Sequence, residues 1–211
     1  MTIWLIRNGS LVGEDSKWPL PDDPLSERGI QESVTLADFL KQLIEQAHVT
    51  GRERKSAIFS SDHRRTMQTV EPLAQEMGCT IQIHPGLRSI DLGDYYGKSE
   101  SAICGLLGET TYKEMRNSPV ADREYFPNGE TLEMQSKRVL AALEEIEPNS
   151  KDTKDHVIVS THATCIQIIL CTICGIPLSS IWTWRIAPAL VTPIEWKDGR
   201  WFIDQVACNP H

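Results

Sequence analysis

The 211-residue chain has no apolar run long enough to cross a bilayer, so the sequence offers no helical membrane span. Positive charge is the scarcer sign. The 21 Lys and Arg stand against 29 Asp and Glu, a formal net charge of −8, which argues against broad binding to nucleic acid or to an anionic membrane. Any anion site must therefore be a local concentration of cations in an acidic protein. The first residues show no basic stretch leading into a long apolar one, so no secretory leader is expected and the cytoplasm is the expected compartment. Six cysteines occur, but the one Cys-x-x-Cys, Cys171-Thr172-Ile173-Cys174, lies in an apolar stretch with no second pair and no histidine cluster. That spacing alone does not make a zinc site, and buried thiols in a reducing compartment are the reading. No metal, nucleotide or flavin motif is present, so no cofactor is expected. Internal repeats, linkers and low-complexity segments are also missing.

What is present is an alternation of strand and helix patterns. Residues 2–7 read as a buried strand and residues 10–24 as a polar loop. Ser26 caps a helix running to about residue 47, with Ile30, Val34, Ala37, Leu40 and Ile44 on one face. A basic turn at 51–55 leads to a strand at 57–60, a helix at 63–77 closed by Gly78, and a strand at 80–84. Residues 85–129 are irregular, with short helical pieces near 99–107 and 110–115, and suit a lid or substrate wall inserted into the domain. An amphipathic helix at 131–146, a buried strand at 156–160 and an apolar helix at 162–174 closed by Gly175 follow. Residues 189–196 and 200–206 pair as a hairpin turning at Asp198-Gly199. The fold class is α/β: a three-layer αβα sandwich with a mostly parallel sheet, one domain spanning 1–211.

Ligands of open α/β sheets sit beyond the carboxyl ends of the strands. Three of these ends are polar: Arg7-Asn8-Gly9-Ser10, Ser60-Ser61-Asp62-His63-Arg64-Arg65 and Ser160-Thr161-His162. Two of them open helices, whose first N–H groups and positive dipole ends favour an anion. Arginine suits such a site because its planar fork grips phosphate oxygens in pairs.

These motifs resemble the histidine phosphatase superfamily, the phosphoglycerate-mutase-like proteins. Leu5-Ile6-Arg7-Asn8-Gly9 is similar to the motif at the end of the family's first strand, Arg-His-Gly, except at Asn8. Asp23-Pro24-Leu25-Ser26-Glu27-Arg28-Gly29 resembles Asp-x-Pro-Leu-Thr-x-x-Gly. The stretch Ser60-Ser61-Asp62-His63-Arg64-Arg65-Thr66-Met67-Gln68-Thr69 resembles Ser-Ser-Pro-Leu-x-Arg-Ala-x-Gln-Thr. Leu87-Arg88-Ser89 through Gly97, Pro127-Asn128-Gly129-Glu130-Thr131 and Thr161-His162 resemble three further motifs in the family's order. The resemblance implies a phosphoglycerate-mutase-like sandwich and a phosphate pocket of Arg7, Arg65, His162, Gly9 and Ser10. It also implies catalysis through a phosphohistidine, with a Glu as proton donor.

The departures fall on the chemistry. Asn8 takes the nucleophile's place, and an amide nitrogen, its lone pair delocalised into the carbonyl, does not attack phosphorus. Such a loss costs on the order of 10⁶ in turnover. Ser89 takes the place of the acid Glu, a further loss of roughly 10²–10⁴. Asp62 replaces a Pro beside the pocket and is a candidate substitute acid or a helix cap. His63 lies next to the site; His48, His84, His156 and His211 are peripheral. Three readings stay open: an anion-binding protein with hydrolysis lost, a phosphomonoesterase carrying an engineered Asn8, and a non-phosphatase enzyme (isomerase, lyase or cyclase) reusing the pocket. The expected partner is a small anion, a phosphomonoester or carboxylate. Trp18 and Tyr112 are the candidates for lining the substrate cleft. The apolar segment 176–184 leaves room for a homodimer interface. Mutase function is not expected, because the family's mutases need the phosphohistidine and a longer basic loop.

Overall fold

Apolar residues on both faces of the central strands dictate a sheet buried between two helical layers. The computed structural model of the chain describes residues 2–13, 16–46, 55–146, 154–203 and 205–208. Among these residues six strands, β1 (Thr2–Arg7), β2 (Lys55–Ser60), β3 (Ile81–Ile83), β4 (Lys154–Thr161), β5 (Val191–Lys197) and β6 (Arg200–Ile203), form one sheet in the order β3-β2-β4-β1-β5-β6. β3, β2, β4 and β1 are parallel, and β5 and β6 add an antiparallel edge. The helices among the described residues are α1 (Glu27–Gln46), α2 (Arg64–Met77), α3 (Glu100–Leu107), α4 (Glu109–Asn117), α5 (Leu132–Ile146) and α6 (Ala163–Cys174).

Strand alternation divides the core. Ile3, Leu5, Ala57, Phe59, Val157 and Val159 pack with α5 and α6, while Ile6, Ile58 and Ile158 pack with α1 and α2. Each fully buried aliphatic side chain contributes about 1.5–3 kcal/mol. This is the expected three-layer sandwich. A third apolar cluster, with Leu92, Tyr95, Ile103, Met115, Tyr125 and Phe126 at its centre, belongs to the segment between β3 and α5.

The punctuation follows local chemistry. Ser26 Oγ accepts from Gly29 N at 3.1 Å and caps α1. Gly78 and Gly175 take left-handed conformations, φ 61° and 65°, at the ends of α2 and α6. Asp198 and Gly199 both have positive φ, 53° and 79°, as the tight turn between β5 and β6 requires. Across that hairpin Trp196 and Trp201 are paired in register, with ring centroids 5.1 Å apart.

The expected core face of α1 needs correction. The buried face of α1 is Ser33, Leu36, Ala37, Leu40 and Ile44, whereas Ile30 and Val34 are 51% and 47% exposed. The cause is steric: Gly29, not Ile30, meets the loop after β1, so close that a Cβ there would lie 2.1 Å from Ser10 O. His156 is remote from the strand ends but buried, accepting from Trp4 Nε1 at 3.2 Å. Within the apolar 176–184 segment, Leu178–Thr183 is a short 3-10 helix whose Ile181 is buried and whose Trp182 donates to Met115 O at 3.0 Å. The basic turn up to residue 54, His48 and His211 lie outside the described residues.

Candidate functional site

Sheet register brings the three polar strand ends together. Ile6, Ser160 and Ser60 are neighbours across β1, β4 and β2, so the residues that follow leave the sheet at one level. Asn8 N donates to Thr161 O at 3.0 Å and Ser61 N to Ser160 O at 3.1 Å, tying the three exits to each other. The loop after β1 is then pressed onto α1, where Ser26 N donates to Ser10 O at 2.9 Å.

A histidine and an arginine meet in this floor. His162 and Arg65 are each only 3% exposed. Arg65 Nε donates to His162 Nδ1 at 3.4 Å, and His162 Nε2 lies 3.1 Å from Ser61 Oγ. The first contact needs a lone pair on Nδ1, which puts the proton of the neutral ring on Nε2, facing Ser61. Ser61 Oγ is in turn 2.7 Å from Thr66 Oγ1. Arg65 also donates through Nη1 to Leu20 O at 2.7 Å. Burial lowers the Arg65 guanidinium to about 10, which leaves it charged at neutral pH. Burial first, then the charge of Arg65, drives His162 well below its ordinary value, and Arg7 acts on it in the same sense. Arg7 donates to Ile186 O at 2.6 Å.

His63 stands beside this centre, at the N-cap position of α2. Its ring meets His162 edge to face, with centroids 4.9 Å apart. Burial, then the charge of Arg65, lowers it to about 4, so both imidazoles are neutral at pH 7. His63 Nδ1 is buried with no hydrogen-bond partner.

Asn8 is buried, and its Nδ2 donates to Gly9 O at 2.9 Å. Gly9 N donates to Thr69 Oγ1 at 3.0 Å. Ser10 is held by the Glu32 carboxylate, through its N at 2.8 Å and its Oγ at 2.9 Å.

Next to the floor lies a cleft of about 510 Å³ lined by Pro21, Asp22, Asp62, His63, Pro85, Gly86, Arg88, Ser89, Asp91, Tyr96, Glu130 and Arg138. Asp62 is gripped by Arg88, whose Nε donates to Oδ1 at 2.7 Å and whose Nη2 reaches Oδ2. The Arg88 guanidinium holds the Asp62 carboxyl below the usual range, so it is ionised at neutral pH and is no proton donor. Nor does Asp62 cap α2, a position occupied by His63. Arg138, on α5, donates to Glu130 Oε1 at 2.8 Å and Oε2 at 2.6 Å, and to the carbonyls of Gly86, Arg88 and Ser89 at 2.8, 3.1 and 3.2 Å. Glu130 Oε2 accepts from Asp91 N at 3.1 Å. One buttressed arginine therefore fixes the cleft wall that carries Ser89.

The site thus brings Asn8, Gly9, Arg65 and His162 together at the strand ends, with Arg7 beside them and Ser89 and Asp62 on the adjoining cleft. Trp18 and Tyr112 are not in the cleft lining. They pack against the third apolar cluster, Trp18 against Phe126 at 5.7 Å and Tyr112 on Glu100. Tyr96 is the aromatic residue of the cleft. Tyr96 stands inside the 87–97 stretch that resembles a family motif, whereas Arg138 carries no sequence signal of a site. The place of Arg138 depends on contacts made across some fifty residues.

The chain belongs to the histidine phosphatase superfamily (branch 1), whose family model matches residues 3–209. It is 25% identical over 208 residues to a probable phosphoglycerate mutase, GpmB, of Shigella dysenteriae serotype 1, covering 95% of this chain and 87% of that protein. In fold it is similar to the alpha-ribazole phosphatase of Shigella flexneri, with TM-score 0.80 and 18% identity over 99% of this chain and 96% of that one. It is similar also to Bacillus stearothermophilus YhfR, with TM-score 0.79 and 23% identity over 96% and 95% of the two chains. At these identities the two solved structures establish the fold alone.

Proposed function

We propose that this member of the superfamily binds a phosphomonoester or similar small anion between Arg7, Arg65 and His162, and that the family's phosphohistidine hydrolysis is lost from it. The observation that carries the reading is the buried Arg65–His162 contact with Asn8, the residue at the nucleophile's place, on the neighbouring strand end. Two guanidinium groups match the oxygens of a tetrahedral anion, and His162 gains a proton as the anion offsets the field of Arg65. The Asn8 amide donates a hydrogen bond but forms no bond to phosphorus. Ser89, at the place of the acid, offers a hydroxyl far too weakly acidic to protonate an alkoxide. Asp62 does not replace it, because Arg88 keeps it ionised. Transfer through a phosphohistidine, as a mutase needs, is closed to a chain with Asn8. The cytoplasm, where small phosphorylated molecules and reduced thiols coexist, fits this reading.

Calorimetric titration with inorganic phosphate tests it. Binding is expected for the unaltered chain, and Arg65→Ala is expected to weaken it by at least tenfold, as loss of a charge-assisted pair does. An Arg65→Ala variant with unchanged affinity removes the pocket reading.

A further inference from the structure

The cleft beside the anion floor has a charge pattern the floor does not explain. Four carboxylates line it, Asp22, Asp62, Asp91 and Glu130, against two guanidinium groups. Both guanidinium groups are already paired, Arg88 with Asp62 and Arg138 with Glu130. Asp22 and Asp91 are left, both exposed, and neither is in an ion pair among the described residues. Asp91 Oδ1 accepts from Gly93 N at 2.9 Å, which fixes its carboxylate. Tyr96, which also lines the cleft, adds an aromatic ring beside it. The binding region is therefore positive at its floor and negative at its outer wall.

A second observation at the same place points to a ligand. His63 lines the cleft and is 5% exposed, and its Nδ1 is buried without a partner. A ring nitrogen in that state is costly unless something else recovers the loss. The charges that act on His63 are those of Arg65 and Asp62 in its own segment and of Arg88 and Arg138, and the His162 ring meets it edge to face. A neutral imidazole among these groups is a hydrogen-bonding surface for the linking atoms of a bound ester.

Resting on the anion-pocket reading above, we propose that the cleft receives the alcohol half of a phosphomonoester that carries an ammonium group. The phosphoryl group lies on Arg7, Arg65 and His162, the linking atoms pass His63, and the ammonium lies between Asp22, Asp91 and the Tyr96 ring. Carboxylates and an aromatic face are the partners that suit a cation, and Pro21, Pro85 and Gly86 complete the wall without forming a large apolar surface.

The test compares inorganic phosphate, ethyl phosphate, O-phosphorylethanolamine and phenyl phosphate by calorimetry at neutral pH on the full chain. O-Phosphorylethanolamine is expected to bind about tenfold more tightly than ethyl phosphate, the sum of a partly exposed ion pair and a cation–π contact. The double variant Asp22→Asn/Asp91→Asn, at two exposed positions and with an Oδ1 kept at 91 to accept from Gly93 N, is expected to bring that ratio to about one. His63→Leu is expected to weaken both alkyl esters relative to inorganic phosphate; equal losses for all three overturn the role of His63. Equal affinities of the two alkyl esters in the unaltered chain, or tightest binding of phenyl phosphate, overturn the ammonium assignment while phosphate binding still upholds the floor. Failure of inorganic phosphate to bind overturns the floor reading instead.

Discussion

Two neutral imidazoles, one bonded to the Arg65 guanidinium and the other packed on the first, make this site sensitive to acid. His63 titrates at about 4 in the folded chain, against about 6.5 when unfolded, and His162 is lowered in the same direction. Between those values the unfolded chain binds more protons than the folded one, so stability falls as pH drops from about 6.5 toward about 4. The melting temperature is expected to decline over that window, and His63→Gln to flatten the decline. Saturating sulfate, an anion with no titration in this range, is expected to restore part of it by favouring protonated rings. A melting temperature flat from pH 7 to pH 5 contradicts the depressed imidazoles. The lost chemistry separates in the same way by residue. Asn8→His supplies a nucleophile without a proton donor, so it is expected to release an activated aryl leaving group, which departs without a proton, and to leave alkyl phosphates untouched. Asn8→His/Ser89→Glu is expected to hydrolyse both, at least 10²-fold faster on the alkyl ester than the single variant. Equal activity of the two variants on alkyl phosphates would mean that another group already donates the proton. Asn8, Ser89, Arg7, Arg65 and His162 are legible in the sequence because each stands in a motif at or after a strand end. The contact of His63 with His162 is not, since it joins residues 99 positions apart that the pairing of β2 with β4 brings within 4.9 Å.

The elements hold the site through close backbone approach rather than through side-chain bulk. Gly29 lies in the first turn of α1 against the loop that carries Asn8, Gly9 and Ser10, and a Cβ there would meet Ser10 O at 2.1 Å. Gly29→Ala is therefore expected to push the loop off α1, break the 2.9 Å bond from Ser26 N to Ser10 O, and destabilise the fold by about 2–3 kcal/mol. Urea unfolding measures the loss, and anion affinity is expected to fall with it because the loop sets the end of β1. Gly78→Ala is the control, a left-handed C-cap with open space around it, where the strain is confined to the backbone of that one residue. Element positions are legible wherever a cap or turn residue marks them, as Ser26, Gly78, Gly175 and Asp198-Gly199 do. The facing of α1 is not, because apolar spacing places Ile30 and Val34 on a core face without knowing that a glycine contact decides which side of the first turns meets the protein.

For the whole molecule, the governing contrast is a local cluster of cations inside a chain of net charge −8. Topology is legible at this scale: alternating patterns, two helix-opening strand ends and a final hairpin leave few arrangements other than a parallel sheet with an antiparallel edge. The distribution of charge across the cleft is not, because Arg88 reaches Asp62 over 26 residues and Arg138 reaches Gly86 over 52. That distribution has a kinetic consequence. An approaching dianion at 10 mM salt feels charges out to about 30 Å, hence most of the acidic surface, whereas at 150 mM it feels those within about 8 Å, chiefly the floor and the cleft wall. Steering by the full molecule is repulsive and steering by the floor is attractive. The association rate of phosphate, followed by intrinsic tryptophan fluorescence in stopped flow, is therefore expected to rise as a non-binding monovalent salt increases from 10 to 150 mM. Most anion sites on basic surfaces show the opposite slope. A rate that falls over this range would place the cations of the floor, not the acidic surface, in control of approach, and would require Arg7 and Arg65 to project their field well beyond the cleft mouth.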